Sequence, residues 1–504
     1  MPWSFGFVVM LVCLFILLAC GAVKMLFKRG MRLRAVRVRG KDRGGVVTVR
    51  TPVTTTDEAQ RSADATGLPR ALMRASGPLP AILVVLGVMG WLCWRVLMNR
   101  HHVLDAWVVW TFDVLFAIVA VQLVMAGFEG RMVGGGAVYR VAVLVPLYNE
   151  DPDVVVQMLS ALLNQTSPPA EIHVVDDGST QGAYVEERDW FIRQAAVARI
   201  YATWQRTANE GKRHAQIHGF RKIRDADLFV TVDSDSMLDA EALHEIVQPF
   251  SDPRVMSVAG VILAINNREN LLARVTDVIF VGQQLIDRSF MSRLGSVMVN
   301  SGGLAAYRRS ILADNIDIYT HESYLRRHVE FSDDSLLTLF ALLRGRTVQQ
   351  PSAFAFAWMP DRWSHHYRQQ ERWFRGSFIR GLWRIRFLPV LSWGWWRQVT
   401  GWMQVWLVIS LFVYLVLWRP LVVGDGIPPA ALLVPLAIGL AQGSRYIAVW
   451  RSDTTGSERC ISLILSPVAT LWSALILRPL RVWGMVTSGK MGWNTRQQVE
   501  VTSQ

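Results

Sequence analysis

The stretch DLFVTVDSD, residues 227–235, decides the fold. It opens on a short apolar run and closes on two carboxylates, Asp233 and Asp235. That is the pattern of a buried strand whose last residues leave the sheet. VAVLVPLYN (141–149) and EIHVVDD (171–177) repeat it upstream. Each run is followed by a helix-like stretch: 238–250, 152–166 and 183–199, respectively. Alternating units of this kind predict a mainly parallel sheet with helices on both faces. VMSVAGVILAI (255–265) and SVMVNSGGLAAYR (296–308) are expected to continue it.

Outward from this middle the composition changes. Hydrophobic residues make up 51% of the 504, and the excess gathers toward both ends. An ordinary domain between apolar flanks reads as a cytosolic insert in a membrane protein. Segment 5–27 is one bilayer span, kept as an anchor because no small-residue cleavage site follows. The Arg-rich loop and linker 28–80 comes next, then a transmembrane hairpin over 81–127. The domain itself occupies 138–362. Basic, aromatic 363–400 reads as interfacial helices on the cytoplasmic membrane surface. The block 401–486 holds spans at 402–418 and 429–449. It ends in a bent or re-entrant pair over 460–484, broken by Pro467 and Pro479. The tail 487–504 is placed in the cytoplasm.

The net charge of +13 follows the rule that Lys and Arg collect in cytoplasmic loops, so no nucleic acid partner is expected. The cysteines, Cys13, Cys20, Cys93 and Cys460, lie in or beside apolar segments without CxxC spacing, which excludes a disulfide framework or zinc site. Asp113 sits inside a span, where a carboxylate has a function or a partner such as Arg95.

Ligands in open α/β sheets bind beyond the carboxyl ends of the strands. Asp176 and Asp177 end one strand, and Asp233 and Asp235 end another. One acidic pair can serve as a turn or cap, but two pairs at equivalent strand ends point to a site. Carboxylates spaced DxD suit a divalent cation, Mg²⁺ or Mn²⁺, that shares its shell with diphosphate oxygens. NEGKRHA (209–215) puts Lys212 and Arg213 in a first helical turn, where the helix dipole favours acids. A diphosphate contact would explain that inversion. FSDDSLLTLF (331–340) opens another apolar helix. Asp333 reads as its cap, and Asp334 as a general base. In QQERW (369–373), Gln369, Arg372 and Trp373 share one helical face, suited to diphosphate and sugar.

In this order, PLYNED, VVDDGS, NEGKR, VDSD, SGGLAAYR, SDD and QxxRW resemble the processive family 2 glycosyltransferases over residues 138–390. GRTVQQP (345–351) and GWNTR (492–496) make the chain similar to the hyaluronan synthases and related chitin-type synthases. The resemblance implies a GT-A fold, UDP-sugar donors, inversion at the anomeric carbon and a growing polysaccharide acceptor. It implies a multi-pass protein of the inner (plasma) membrane, in contact with lipid, that exports its product through its own spans. By position, Tyr148, Glu150 and Asp177 would contact uridine, Lys212 and Arg213 the diphosphate, and Asp235 the metal. Asp334 would deprotonate the acceptor, and Gln369, Arg372 and Trp373 would close over the substrates. Two departures stand out: Gly303 where Pro is usual, and Ser335 where Arg follows the acidic pair. Both leave the aspartates in place and put the sugar identity in question. The product implied first is hyaluronan, from UDP-GlcNAc and UDP-GlcA. A chitin-like or other homopolymer, or non-processive transfer, is the alternative.

Overall fold

The computed structural model describes residues 56–74, 87, 90–91, 106–136, 138–180, 182–428 and 430–491. The expected span 5–27, the Arg-rich stretch 28–50, Arg95 and the GWNTR motif lie outside them.

Eight strands form the central sheet: β1 (Val141–Leu147), β2 (Glu171–Asp176), β3 (Tyr201–Arg206), β4 (Leu228–Thr231), β5 (Ser236–Leu238), β6 (Val255–Ala264), β7 (Ala305–Arg308) and β8 (Arg346–Ala357). Their order across the sheet is β3-β2-β1-β4-β7-β6-β8-β5. Only β5 and β7 run against the rest, so the sheet is mixed and mainly parallel, of GT-A type. All side chains of β1 are buried, and they alternate between two cores. Val141, Val143 and Val145 pack with Leu159, Phe191 and Leu243. Ala142 and Leu144 pack with Ile217, Phe220 and Phe340 on the other face. Each Val or Leu so buried contributes about 1.5–3 kcal/mol on leaving water.

Register brings the strand ends level. Leu147 lies opposite Asp176, and Leu144 opposite Thr231. Residues 148, 177 and 233–235 therefore leave the sheet at one edge. Of the expected strand 296–308 only β7 forms, and it is antiparallel. Residues 299–303 stay irregular and approach that edge.

The helices that matter to the site are α1 (Ala106–Gly127), α2 (Lys212–Arg221), α3 (Leu271–Gly282, continuing to 293), α4 (Asp333–Leu342), α5 (Trp363–Phe387), α6 (Trp393–Val423), α7 (Ala430–Gly443) and α8 (Gly456–Val486). By length and composition α1, α6 and α8 could cross a membrane. Asp113 on α1 accepts from Trp91 Nε1 at 2.7 Å, a polar partner the spacing did not reveal.

Three expectations need correction. The linker read as loop contains a helix, Thr56–Thr66, and a strand, Ala71–Met73, paired with Val449–Arg451. It is pinned by Arg70 to buried Asp239 at 3.1 Å. The expected second span 429–449 ends early as α7, and the chain then turns into that strand pair. Finally, 460–484 is not a broken pair but part of continuous α8. A widened turn at Ser473–Leu477 lies just ahead of Pro479, and such a turn absorbs the hydrogen bond that proline cannot make. The two ends of α8 are tied down separately: Glu458 bonds Arg268 of the domain at 2.6 Å, and Trp483 Nε1 donates to Glu371 of α5 at 2.9 Å.

Candidate active site

The loop after β4 carries the DxD pair. Ser234, between the aspartates, donates to Glu150 Oε1 at 3.0 Å. Asp233 accepts from Lys212 Nζ at 2.6 Å, and the same amine lies 3.4 Å from Asp333. Burial would lower the Lys212 pKa, but these carboxylates outweigh it and raise it. Lys212 is therefore a fixed cation among acids. The 209–211 loop before it hangs on Asp177, whose two oxygens accept from Glu210 N and Gly211 N at 3.0 and 2.8 Å. Gly178 makes this approach feasible. Its φ is +72°, and a Cβ there would meet Asn209 N at 2.8 Å. Burial pushes the Asp177 carboxyl up, against those two bonds.

Gly302 brings the 299–303 segment against the same pair, with a Cβ position only 3.1 Å from both Asp233 oxygens. Any side chain would fill the cradle. Among the described residues no group of three or more His, Cys, Asp and Glu gathers for a metal. Asp233 and Asp235 therefore fit a hard divalent cation only if substrate oxygens complete its shell, as diphosphates do.

Opposite, Ser332 adopts a left-handed conformation, φ +63°, as α4 begins. A non-glycine residue in that region stores strain and often marks a functional turn. Asp333 is buried and accepts from Gln216 Nε2 at 3.0 Å. Lys212 and Arg213 hold its pKa down against burial. Asp334 is half-buried, and one oxygen accepts from Ser335 N at 2.6 Å. Burial and then the charge of Asp333 push it up to about 7. Two adjacent carboxylates with pKa values driven apart mark one as fixed charge and the other as a proton acceptor.

Helix α5 closes the site from a third side. Gly376 lets it lie on the strained turn, since a Cβ would sit 2.7 Å from Ser332 Oγ. Trp373 stacks on Phe280 of α3 at 5.8 Å and 22°. Arg380 is buried and donates to Glu322 at 2.6 and 3.0 Å and to Ser335 Oγ at 3.2 Å. Ser335 thus accepts from an arginine where the related motif carries one. The expectation of a surface helix is corrected here: α5 is wedged between the domain and the apolar helices, with Phe374, Ile379 and Arg384 buried.

One cavity of about 1400 Å³ joins these parts. Tyr148, Asp177, Lys212, Asp233, Asp235, Asp333, Asp334, Gln369, Arg372 and Trp373 line one part of it. Phe412 and Val416 of α6, Ile438 of α7 and Ala474 of α8 line the other. Three expected residues stand behind the wall instead. Glu150 is buried and holds Ser234. Asp176 caps its own turn, accepting from Ser179 N at 2.9 Å. Arg213, expected beside diphosphate, is buried on Glu322 at 2.8 Å and the Phe331 carbonyl at 2.7 Å. It is consumed in holding the turn before Asp334. Sequence reasoning missed Arg288 and Arg384. Arg288 lines the cavity and donates to Ser301 Oγ at 2.7 Å. Arg384 lines it too, bonded to the Met298 carbonyl. Burial lowers their pKa to about 10 and about 9. Neither lies in a short motif; the one signal was basic residues within amphipathic stretches.

Comparison with known proteins gives the following matches. Residues 139–376 match the family model described as "Glycosyltransferase like family 2". A hyaluronan synthase of Streptococcus pyogenes is 29% identical over 370 residues, covering 72% of this chain and 84% of that protein. An N-acetylglucosaminyltransferase of Azorhizobium caulinodans is 33% identical over 380 residues, covering 71% and 87%. Among solved structures, a mannosyltransferase from Pyrobaculum calidifontis in complex with GDP-Man and Mn²⁺ aligns with a TM-score of 0.47 and 19% identity. It covers 73% of this chain and 98% of that one.

Proposed function

The chain belongs to the family 2 glycosyltransferases, and from that premise we propose that it is a membrane-embedded, processive polymerase of UDP-sugars. The observation that carries this reading is the continuity of the cavity. The carboxylates at the sheet edge and the apolar helices α6, α7 and α8 line the same space. A product made at one part has a continuous way toward the other.

In the proposed reaction Asp334 accepts the proton of the acceptor hydroxyl. The acceptor oxygen attacks the anomeric carbon of the donor, with inversion, and UDP leaves. Lys212, tethered between Asp233 and Asp333, offers positive charge to the leaving diphosphate. Asp233 and Asp235 would hold Mg²⁺ or Mn²⁺, which neutralises charge on that diphosphate when bound. Tyr148 contacts the nucleotide from the end of β1. Asp177 acts one step back by fixing the loop that presents Lys212, and Glu150, Asp176 and Arg213 support the walls. Gln369, Arg372 and Trp373 cover the acceptor. The domain faces the cytoplasm, where nucleotide sugars are made, and the polymer leaves across the inner membrane.

Hyaluronan is the product we favour. Its relative in Streptococcus pyogenes supports it, as do six arginines on the cavity wall, Arg288, Arg372, Arg384, Arg397, Arg478 and Arg481, which suit an acidic chain. The Azorhizobium relative supports a second reading, an N-acetylglucosamine homopolymer. The test is UDP release by the protein in lipid with Mg²⁺ or Mn²⁺, given UDP-GlcNAc, UDP-GlcA or both. Polymer from both donors only, cut by a hyaluronan-specific lyase, is the expected result. Polymer from UDP-GlcNAc alone would establish the second reading. Release without any polymer would overturn the polymerase assignment.

A further inference from the structure

His366 lies three residues before Gln369 on α5, so the two share a helical face. Its ring is 3% exposed, yet neither ring nitrogen has a hydrogen-bond partner among the described residues. Trp358 Nε1, just past β8, and Gln369 Oε1 are likewise buried without partners. All three residues line the cavity. Buried polar atoms are nearly always satisfied, because leaving one bare costs the full desolvation of that group. Three such residues lining one cavity point to a ligand that completes them.

Their chemistry narrows the ligand. An indole N–H only donates, an amide oxygen only accepts, and a neutral imidazole does one of each. Burial pushes His366 down to about 4, so the ring is neutral in ordinary conditions. An anion would find no charge on these groups, and an acyl chain would leave every polar atom bare. A pyranose carries neighbouring hydroxyls that donate and accept, together with an apolar C–H face. Aromatic surface for that face is at hand. Trp373, one turn beyond Gln369, lines the same cavity.

We propose that His366, Trp358 and Gln369 form a saccharide subsite on the cavity wall, hydrogen-bonding the hydroxyls of a sugar unit already added to the polymer. This rests on the polymerase reading. Grip on the bound chain, not on the donor, is what the subsite supplies, so its loss shows in product length.

The experiment compares wild type, His366→Ala, His366→Gln and Trp358→Phe in lipid, with the donors that support polymer synthesis. Product length is read on gels, and KM for each UDP-sugar is measured alongside. His366→Ala and Trp358→Phe should shorten the product by about three- to tenfold, the effect of one lost hydrogen bond on chain release. KM for donor should stay within about twofold on that same basis. His366→Gln, which keeps a donor and an acceptor, should restore most of the length. Unchanged length in both His366→Ala and Trp358→Phe, with water filling the site, would overturn the subsite. So would a loss in His366→Ala that raises donor KM equally while Trp358→Phe leaves length intact. Absence of polymer from wild type would instead defeat the polymerase reading itself.

Discussion

The sheet edge and the α5 wall face each other across one cavity, and they are built in opposite ways. At the edge, function follows from local pattern. An apolar run ends, two acids follow, and register sets Asp176 opposite Leu147 with the DxD loop beside them. On the wall, function follows from distant partners. Arg380 and Arg213 are buried because Glu322, far from both in sequence, takes their charge. Gly376 is needed because Ser332 lies against it. Chemistry placed at strand ends is legible in short motifs, whereas chemistry placed by packing is spread over the whole chain.

Substitutions on the two sides should therefore fail differently. The largest effect is expected at Asp334. Asp334→Asn removes the proton acceptor and should lower kcat by about 10²–10⁴-fold, with UDP binding by calorimetry unchanged. Near-normal turnover would take the base away from α4.

Arg213→Ala comes next, and it sharpens the contrast. Removing one partner of a buried ion pair costs about 3–5 kcal/mol. The variant should show lower thermal stability, and its folded fraction should keep a donor KM close to wild type. A selective rise in donor KM at full stability would return Arg213 to the diphosphate.

A pH profile tests the electrostatics of the same turn. Asp334 acts as a carboxylate, and its pKa is raised to about 7 by burial and Asp333. Activity should thus be full above that value and be lost as pH falls through it, about tenfold per unit in kcat/KM. A profile flat down to pH 5 would contradict the raised pKa. The smallest effect is expected on the wall: Trp373→Ala loses stacking and should reduce polymer output by about three- to tenfold. A change in protein abundance alone would make Trp373 an anchor.

The same contrast explains what the sequence disclosed. Strands β1, β2 and β4 are short apolar runs and were plain. Strand β3, YATWQR, lies at the sheet margin with its side chains only half-buried, so its apolar signal is diluted. Strand β8 carries buried Gln349 and Gln350 and Pro351 near a register shift. Those polar residues satisfy Glu129, Met132 and Glu245, a use invisible in a local window. Helix α5 looked like a surface helix because Arg marks surfaces unless a carboxylate is waiting. The motifs named Asp233, Asp235, Lys212 and Asp334, and all four line the cavity. Arg213 and Glu150 were named for contact and instead serve as supports, a distinction that only packing decides. His366 left no mark that composition or spacing could carry, and Arg288 and Arg384 only that of basic residues within amphipathic stretches.

In the proposed polymerase, synthesis and passage share one space. The direct measurement uses sealed proteoliposomes whose catalytic domains face outward, supplied with UDP-sugars outside. Polymer is then assayed with a polysaccharide lyase before and after detergent. Product protected from the enzyme until the vesicles are opened is the predicted result. Product fully digested in intact vesicles would mean that the chain is released where it is made and does not pass through the apolar helices.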